Sequence, residues 1–292
     1  MAEAGMSRWI PERPNLGSTN TLLVARSRIH SVREFPGPLS IKTVLEGRVA
    51  WRIGRREVWI DDSSFLVLNN RELYSMQIDS PEPVATCCVF FEHGFVETIG
   101  ADLSRPVNAR LDQEPSKAPL TFLSCLHPRN PELSASIAAL REKGFDGSLA
   151  IVLDECFLHV AHQLLLQYKE IDRQMSRIPA VRAATRKELF SRVARGREFL
   201  HAEGFGPVRL AQAASAACLS PFHFHRSFLR AFGKTPSRYV TELRLAKAAQ
   251  LLQRGASVTE TCLLVGFESL GSFSASFRKH FGVPPSVFRA LI

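Results

Sequence analysis

"FHFHRSFLRAFGKTPSRYV", Phe222 to Val240, is closely copied further on as "SFSASFRKHFGVPPSVFR", Ser272 to Arg289. A shift of 49 positions sets Ser220 on Ser269, Phe224 on Phe273, Ser227 on Ser276, Phe228 on Phe277 and Arg230 on Lys279. The register continues through Phe232/Phe281, Gly233/Gly282, Pro236/Pro285, Ser237/Ser286 and Tyr239/Phe288. Phenylalanines recurring every four residues make one buried stripe of a helix, so each copy predicts a helix packed through three rings. Ser220 before Pro221 offers a hydroxyl cap, followed by a first-turn residue that needs no amide hydrogen bond. One pair breaks the match conspicuously: Arg226 falls on Ala275.

The flanking residues complete the pattern. "RKELFSRVARGREFLHAEGFG" predicts a helix with Leu189, Phe190, Val193, Phe199 and Leu200 inward, stopped by Gly204 and Gly206. "RLAQAASAACLS" reads as a short helix whose Ala214 and Ala217 let a neighbour approach closely. With the stripe at Phe224, Phe228 and Phe232 buried, Phe222, His225, Arg226 and Leu229 face away from it. That is a helix-turn-helix whose second helix presents a polar face from its N-terminal half. "PSRYVTELRLAKAAQLLQRG" gives a long helix with Tyr239, Leu243, Leu245, Ala248, Leu251 and Leu252 inward. "SVTETCLLVGFES" repeats the first motif, with Ser257 and Glu260 as a capping box and Gly266 at the turn.

Upstream the texture is different. From Thr21 to Phe91 short β-rich runs recur about every ten residues: "TLLVARSRI", "SIKTVLEG", "VAWRI", "EVWI", "FLVL", "LYSMQI" and "VATCCVFF". Turn-formers separate them at Pro36-Gly37-Pro38, Gly54, Asp61-Asp62-Ser63-Ser64 and Asn69-Asn70. Such spacing predicts a sandwich or small barrel, with a hairpin closing near Gly54. After about Pro115 helices take over. Asn130 and Pro131 start one, and a longer one carries Leu149, Val152, Leu153, Cys156, Phe157, Val160, Leu164, Leu165 and Ile171 at helical spacing. That stripe packs either on its own sheet or on the same helix of a second subunit. "SRIPAVRAATRKE", Ser176 to Glu188, reads as a basic linker.

The 292 residues, 45% apolar and 22% charged, have the composition of a globular protein with room for two cores. No run approaches the roughly 18 to 20 apolar residues of a membrane helix, and the N-terminus lacks the apolar core of a signal peptide, so a cytoplasmic location is expected. From Val181 onward 17 Lys and Arg stand against 6 Glu and no Asp, giving +11; the whole chain is +9, which leaves −2 for the rest. A basic C-terminal part suggests a polyanion partner for that part alone. Cys87, Cys88, Cys125, Cys156, Cys218 and Cys262 show no zinc spacing and are expected as buried reduced thiols. His159 and His162 lie three apart with no third ligand in register. No metal, cofactor or catalytic set emerges, so the expectation is that the protein is not an enzyme.

The stretch from about Glu188 to Arg289 resembles the AraC/XylS family of bacterial transcription regulators. The carrying motifs are "LSPFHFHRSF", "GKTPSRYVTELRLAKAAQLL", "SVTETCLLVGFES" and "FSASFRKHFGVPPSVFR", in order over about 100 residues. The resemblance implies an α+β protein of two domains, a cupin-like β-barrel with a helical dimerisation segment and an all-α double helix-turn-helix that reads adjacent major grooves. Its expected layout is an arm over 1–20, a sensor and dimerisation domain over 21–175, a linker over 176–187 and a DNA-binding domain over 188–292. The implied partners are double-stranded DNA, RNA polymerase, a small-molecule effector and a second copy of the chain, with no membrane.

In the first reading helix the resemblance assigns base contacts to Phe222, His225 and Arg226. An Arg there can donate two hydrogen bonds to guanine, and Phe222 can meet a thymine methyl. In the second, Ala275 takes the place where the family commonly carries a basic or amide side chain, leaving Gly271, Ser272 and Ser274 for short contacts beside the apolar Leu270. The first helix is therefore expected to dominate direct readout, and the second to anchor and read shape. Backbone contacts are expected from Arg230, Arg238, Arg278 and Lys279 and from the helix starts capped by Ser220, Ser257 and Ser269. Cupin enzymes hold metal on a His-x-His pair, a carboxylate and a later His; "GPLSIKTVLEG" has no histidine and His93 stands alone. Two other readings remain open, a ligand-independent regulator governed by a protein partner and a cupin enzyme with a DNA-binding appendage. The arm from Ile10 to Gly17 either folds over an effector pocket or is a disordered tail.

Overall fold

The computed structural model of the protein describes residues 15–104, 120–180 and 182–290. The chain forms two compact units, Met1–Arg173 and Gln174–Ile292. Most of the arm and the segment around Pro115 lie outside the described residues.

The first unit is a nearly closed antiparallel barrel built from β1 (Thr21–Gly37), β2 (Ser40–Glu46), β3 (Arg48–Ile53), β4 (Arg56–Asp61), β5 (Ser64–Leu68) and β6 (Glu72–Phe90), with a short β7 (Leu126–Pro128) on its edge. Strand order is β4-β3-β6-β2-β5-β7, and β1 lies along β6 as well. The β3–β4 hairpin turns at Gly54-Arg55 as the sequence indicates. The long β6 joins "LYSMQI" and "VATCCVFF", which read as separate strands, into one. Pro81 and Pro83 fall where the pairing jumps from Ile29/Asp79 to Ser27/Val84, so neither proline is asked for a ladder hydrogen bond. Likewise Pro36 and Gly37 are not a turn outside β1 but its last two residues, pairing with Leu73 and Glu72.

Because side chains alternate across a strand, β2 and β6 feed two cores at once. Ile41, Phe65, Val67, Cys87 and Val89 face outward under α1 (Phe95–Ser104), α2 (Pro131–Phe145) and α3 (Ala150–Ser176). Val44, Trp51, Leu66, Leu68, Tyr74 and Ile78 face into the barrel. The outer layer is closed by Leu133, Ile137 and Leu140 of α2 and Phe157, Val160, Leu164 and Leu165 of α3. Asn130 caps α2, its side chain accepting from the amides of Glu132 and Leu133. The α3 stripe begins later than its sequence suggests: Leu149 precedes the helix and is exposed, Leu153 and Cys156 pack partly buried against the core, and full burial starts at Phe157.

The second unit holds α4 (Ala183–Glu203), α5 (Leu210–Ala216), α6 (Pro221–Phe232), α7 (Pro236–Gln253), α8 (Val258–Leu264), α9 (Leu270–Phe281) and α10 (Pro285–Ala290). Helix α4 absorbs the end of the expected linker, because "AATRKE" is good helix-forming sequence with no breaker. Gly204 ends α4 in a right-handed conformation, φ −60°, and is not a left-handed cap. What holds this end is tertiary: the Arg244 guanidinium of α7 donates to the carbonyls of Gly204, Gly206 and Gly266 at 2.6 to 2.7 Å.

The copied pattern is visible in three dimensions. Phe228 touches Phe224, Phe232 and Tyr239, and Phe277 touches Phe273, Phe281 and Phe288. Gly233 and Gly282 close the two helices in the left-handed region, φ 69° and 81°, each amide bonding back to the last turn. Upstream the offset changes. Helices α5 and α8 are 48 residues apart whereas α6 and α9 are 49 apart, so the second turn is one residue longer. In the first turn Cys218 takes the left-handed position, φ 52°, that Gly266 takes in the second, φ 79°, and it is exposed. Cys88 and Cys156 are also only partly buried, which corrects the expectation of six buried thiols.

Candidate nucleic-acid interface

Each helix-turn-helix offers its second helix. Ser220 accepts from the His223 amide and Ser269 from the Ser272 amide, so these hydroxyls fix the starts of α6 and α9 while leaving them exposed. Ser257 caps α8 through the Glu260 amide, the hydroxyl half of the expected capping box.

With Phe224 and Phe228 fully buried, α6 turns Phe222, Arg226 and Leu229 outward, with His225 half-buried beside them. Phe222 is 77% exposed, an arrangement water penalises and a groove lined with thymine methyls would not. On α9 the same burial of Phe273 and Phe277 exposes Leu270, Gly271, Ser272, Ala275, Arg278 and Lys279, with Ser274 half-buried. Arg278 follows Ala275 by three residues and so shares its face. The outward arginine of α9 therefore stands one turn later than that of α6, which the linear comparison missed because Arg278 pairs with Leu229.

The flanking cations differ in freedom. Arg238 donates from Nε to Glu242 at 2.8 Å and Lys234 pairs with the same carboxylate. Desolvation pushes the Glu242 pKa up, but the hydrogen bonds and charges of Lys234 and Arg238 hold it below the ordinary carboxylate value. Part of the charge of Arg238 is thus already answered within the protein. Arg230 is half-buried at the end of α6. Arg244, which pins the two halves together, lay outside the sequence-level site; its alternation on α7 reads as an ordinary polar position.

Within the barrel a cavity of about 390 Å³ is lined by Leu23, Phe35, Trp51, Tyr74, Met76 and Ile78, among others. Among the described residues no group of three or more His, Cys, Asp or Glu could hold a metal ion. His159 bonds to the Glu155 carbonyl of its own helix at 3.0 Å.

Two helix-turn-helix units joined by one long helix, on a basic stretch of chain, define a DNA-binding domain of the double helix-turn-helix class. A helix-turn-helix domain family model matches residues 213–291. The chain is 34% identical over 83 residues to the probable transcription factor PqrA of Proteus vulgaris, covering 28% of this chain and 68% of that one. It is 38% identical over 80 residues to the transcriptional regulator GbdR of Pseudomonas aeruginosa, covering 27% and 22%. A solved AraC-type regulator from Chromobacterium violaceum shares 31% identity, over 37% of this chain and 95% of that one, with a TM-score of 0.33. The chain belongs to the AraC/XylS family of transcription regulators. Several curated relatives are matched over only 22% to 38% of their own length. No described helix is long and apolar enough to cross a membrane.

Proposed function

We propose that the protein is a sequence-specific DNA-binding transcription regulator whose α6 and α9 enter adjacent major grooves and whose barrel responds to a small effector. The observation that carries this is the paired burial of the phenylalanine ladders, which frees equivalent faces on two helices for DNA while Arg244 sets their separation. On α6, Phe222, His225 and Arg226 read bases. On α9, Gly271, Ser272 and Ser274 make short contacts. Arg230, Arg238, Arg278 and Lys279, with the helix starts at Ser220, Ser257 and Ser269, hold phosphates.

The proposed regulator acts as a homodimer. Supporting this, Ile151, Leu158 and Leu166 lie exposed on one side of α3, beside Phe145 and Leu149. The barrel cavity supports the effector role, and the domain plan is an arm and sensor domain through about residue 175 followed by the DNA-binding domain. Selection of bound sequences from randomised DNA tests the core of the reading. Two half-sites about one helical turn apart, with more information in the one bound by α6, are expected. A single short site, or equal information in both, would overturn the unequal-halves reading.

A further inference from the structure

Lys42 lies in the middle of β2 and is 1% exposed. Its ladder partners are Leu66 on β5 and Cys88 on β6, both on the inner face of the barrel. An ammonium carries three donors. One reaches the Tyr74 hydroxyl at 3.1 Å, and the rest of the charge lies against rings, 3.7 Å from the Phe90 centroid and 4.5 Å from that of Tyr74. No carboxylate pairs with it among the described residues. Arg26, which lines the same cavity, is paired with Glu46 at 3.0 Å, both side chains about half exposed. Two residues before Lys42 on the same face, Ser40 is fully buried and its Oγ has no hydrogen-bond partner.

A buried cation without a counter-charge is costly, and a buried hydroxyl without a partner adds to the cost. The uncompensated charge is relieved by an acceptor-rich anion entering from the cavity that Lys42 lines. Among the remaining walls, Leu23, Phe35, Trp51, Met76 and Ile78 offer apolar and aromatic contact, beside the polar Ser27, His30 and Thr86. A sugar would supply no counter-charge to the ammonium, and a metal cation would be repelled by it. Resting on the effector reading of the barrel, we infer that its ligand is a small organic carboxylate with an apolar or aromatic body, its carboxylate held by Lys42.

The groups that face Lys42 are compatible with that role. Tyr74 and Cys88 are both pushed up by burial, so neither supplies negative charge at neutral pH. His30 and Arg26 line the β1 side of the cavity, and β3 contributes Trp51. Burial lowers Lys42 itself to about 8, so it remains mostly protonated at pH 7 and loses its charge as pH rises beyond that value.

The test uses the full chain and two matched pairs of probes, octanoate with octanamide and 3-phenylpropanoate with 3-phenylpropanamide, followed by calorimetric titration and by Trp51 fluorescence. At least one acid is expected to bind about 10- to 100-fold more tightly than its amide, the range for a charge-assisted hydrogen bond. Raising the pH from 7 to 9.5 should weaken the acid by up to about 30-fold and leave the amide unchanged. Lys42→Met should abolish the preference for the acid while the protein still binds DNA. Equal binding of acid and amide, or a preference that survives Lys42→Met, overturns the ligand class and leaves the barrel as an effector site. Failure of all four probes to bind overturns the ligand class and the effector reading together. The comparison of acid with amide on the unaltered protein stands whether or not the variant folds.

Discussion

Replacing Lys42 by Met should make the ligand-free barrel more stable, against the usual direction for a fully buried core position. Burial lowers the Lys42 pKa from 10.5 to about 8. At about 1.36 kcal/mol per tenfold change in proton affinity, holding the charged form inside costs about 3 kcal/mol at pH 7. Loss of the Tyr74 hydrogen bond and the ring contacts gives back about 1 to 2 kcal/mol, and Met fills much the same length, so a net gain of about 1 to 2 kcal/mol is expected. The pH dependence has a definite sign. Below about pH 8 folded and unfolded chains both carry the proton, and the cost is constant. Between about 8 and 10.5 the unfolded chain keeps a proton that the folded barrel has released, so the unaltered protein gains stability as pH rises and its deficit against the variant closes. All three tryptophans, Trp9, Trp51 and Trp59, precede the second unit in the chain, and Trp51 and Trp59 stand in the barrel, so urea unfolding followed by tryptophan fluorescence reports the first unit. A variant less stable by 1 kcal/mol or more at pH 7, or a gap between the two proteins that does not narrow by pH 10.5, would refute the reasoning.

Other substitutions test the second unit. Gly196→Ala should destabilise by about 1 to 3 kcal/mol despite the better helix propensity of alanine, because a Cβ there would meet the Phe224 ring at 2.2 Å and the Ala213 carbonyl at 3.0 Å; thermal unfolding of residues 174–292 within the full chain checks this. Arg244→Lys, which cannot span three carbonyls, should lower the stability of the same unit by about 2 to 4 kcal/mol, and a loss below 0.5 kcal/mol in denaturant unfolding would rule the clamp out as a structural element. Arg226→Ala should cost about 1 to 3 kcal/mol of DNA binding and relax one base preference, read by titration against single-base variants of the site; an equal loss on every sequence would assign Arg226 to phosphate. Ala275→Arg should raise the information content of the half-site under α9 in the same selection experiment.

Much of the second unit is legible in its sequence because each local rule agrees with the packing. Four-residue phenylalanine spacing, serine caps, prolines at first helical positions and the two closing glycines all point to the same helices. What is not legible is tertiary. Arg244 reads as a solvent-facing charge on α7, and only the meeting of Gly204, Gly206 and Gly266 gives it three acceptors. Gly196 reads as a weak point in α4 until Phe224 is seen to occupy the space of its missing side chain. In the barrel, alternation in "SIKTVLE" implies that one face of the strand is covered and the other wet. Both are covered, one by helices and one by the opposite wall, and a lysine is the last side chain expected in that position. The continuity of β6 through "LYSMQI" and "VATCCVFF" and the exposed start of the α3 stripe are illegible for the same reason: a bulge and a docking point depend on partners distant in the chain.

Helix α7 belongs to both copies of the repeated pattern. Its beginning, Pro236 and Tyr239, closes the first copy just as Pro285 and Phe288 close the second, while its later residues Leu245, Ala248 and Leu252 open the second core. The two halves therefore share a shaft and are not strung on a tether. Inserting a single residue into its middle would turn the far half by about 100° and advance it by about 1.5 Å. A flexible joint would absorb that change; here it would swing α9 around to another side, and the second groove would go unread with every contact residue still in place.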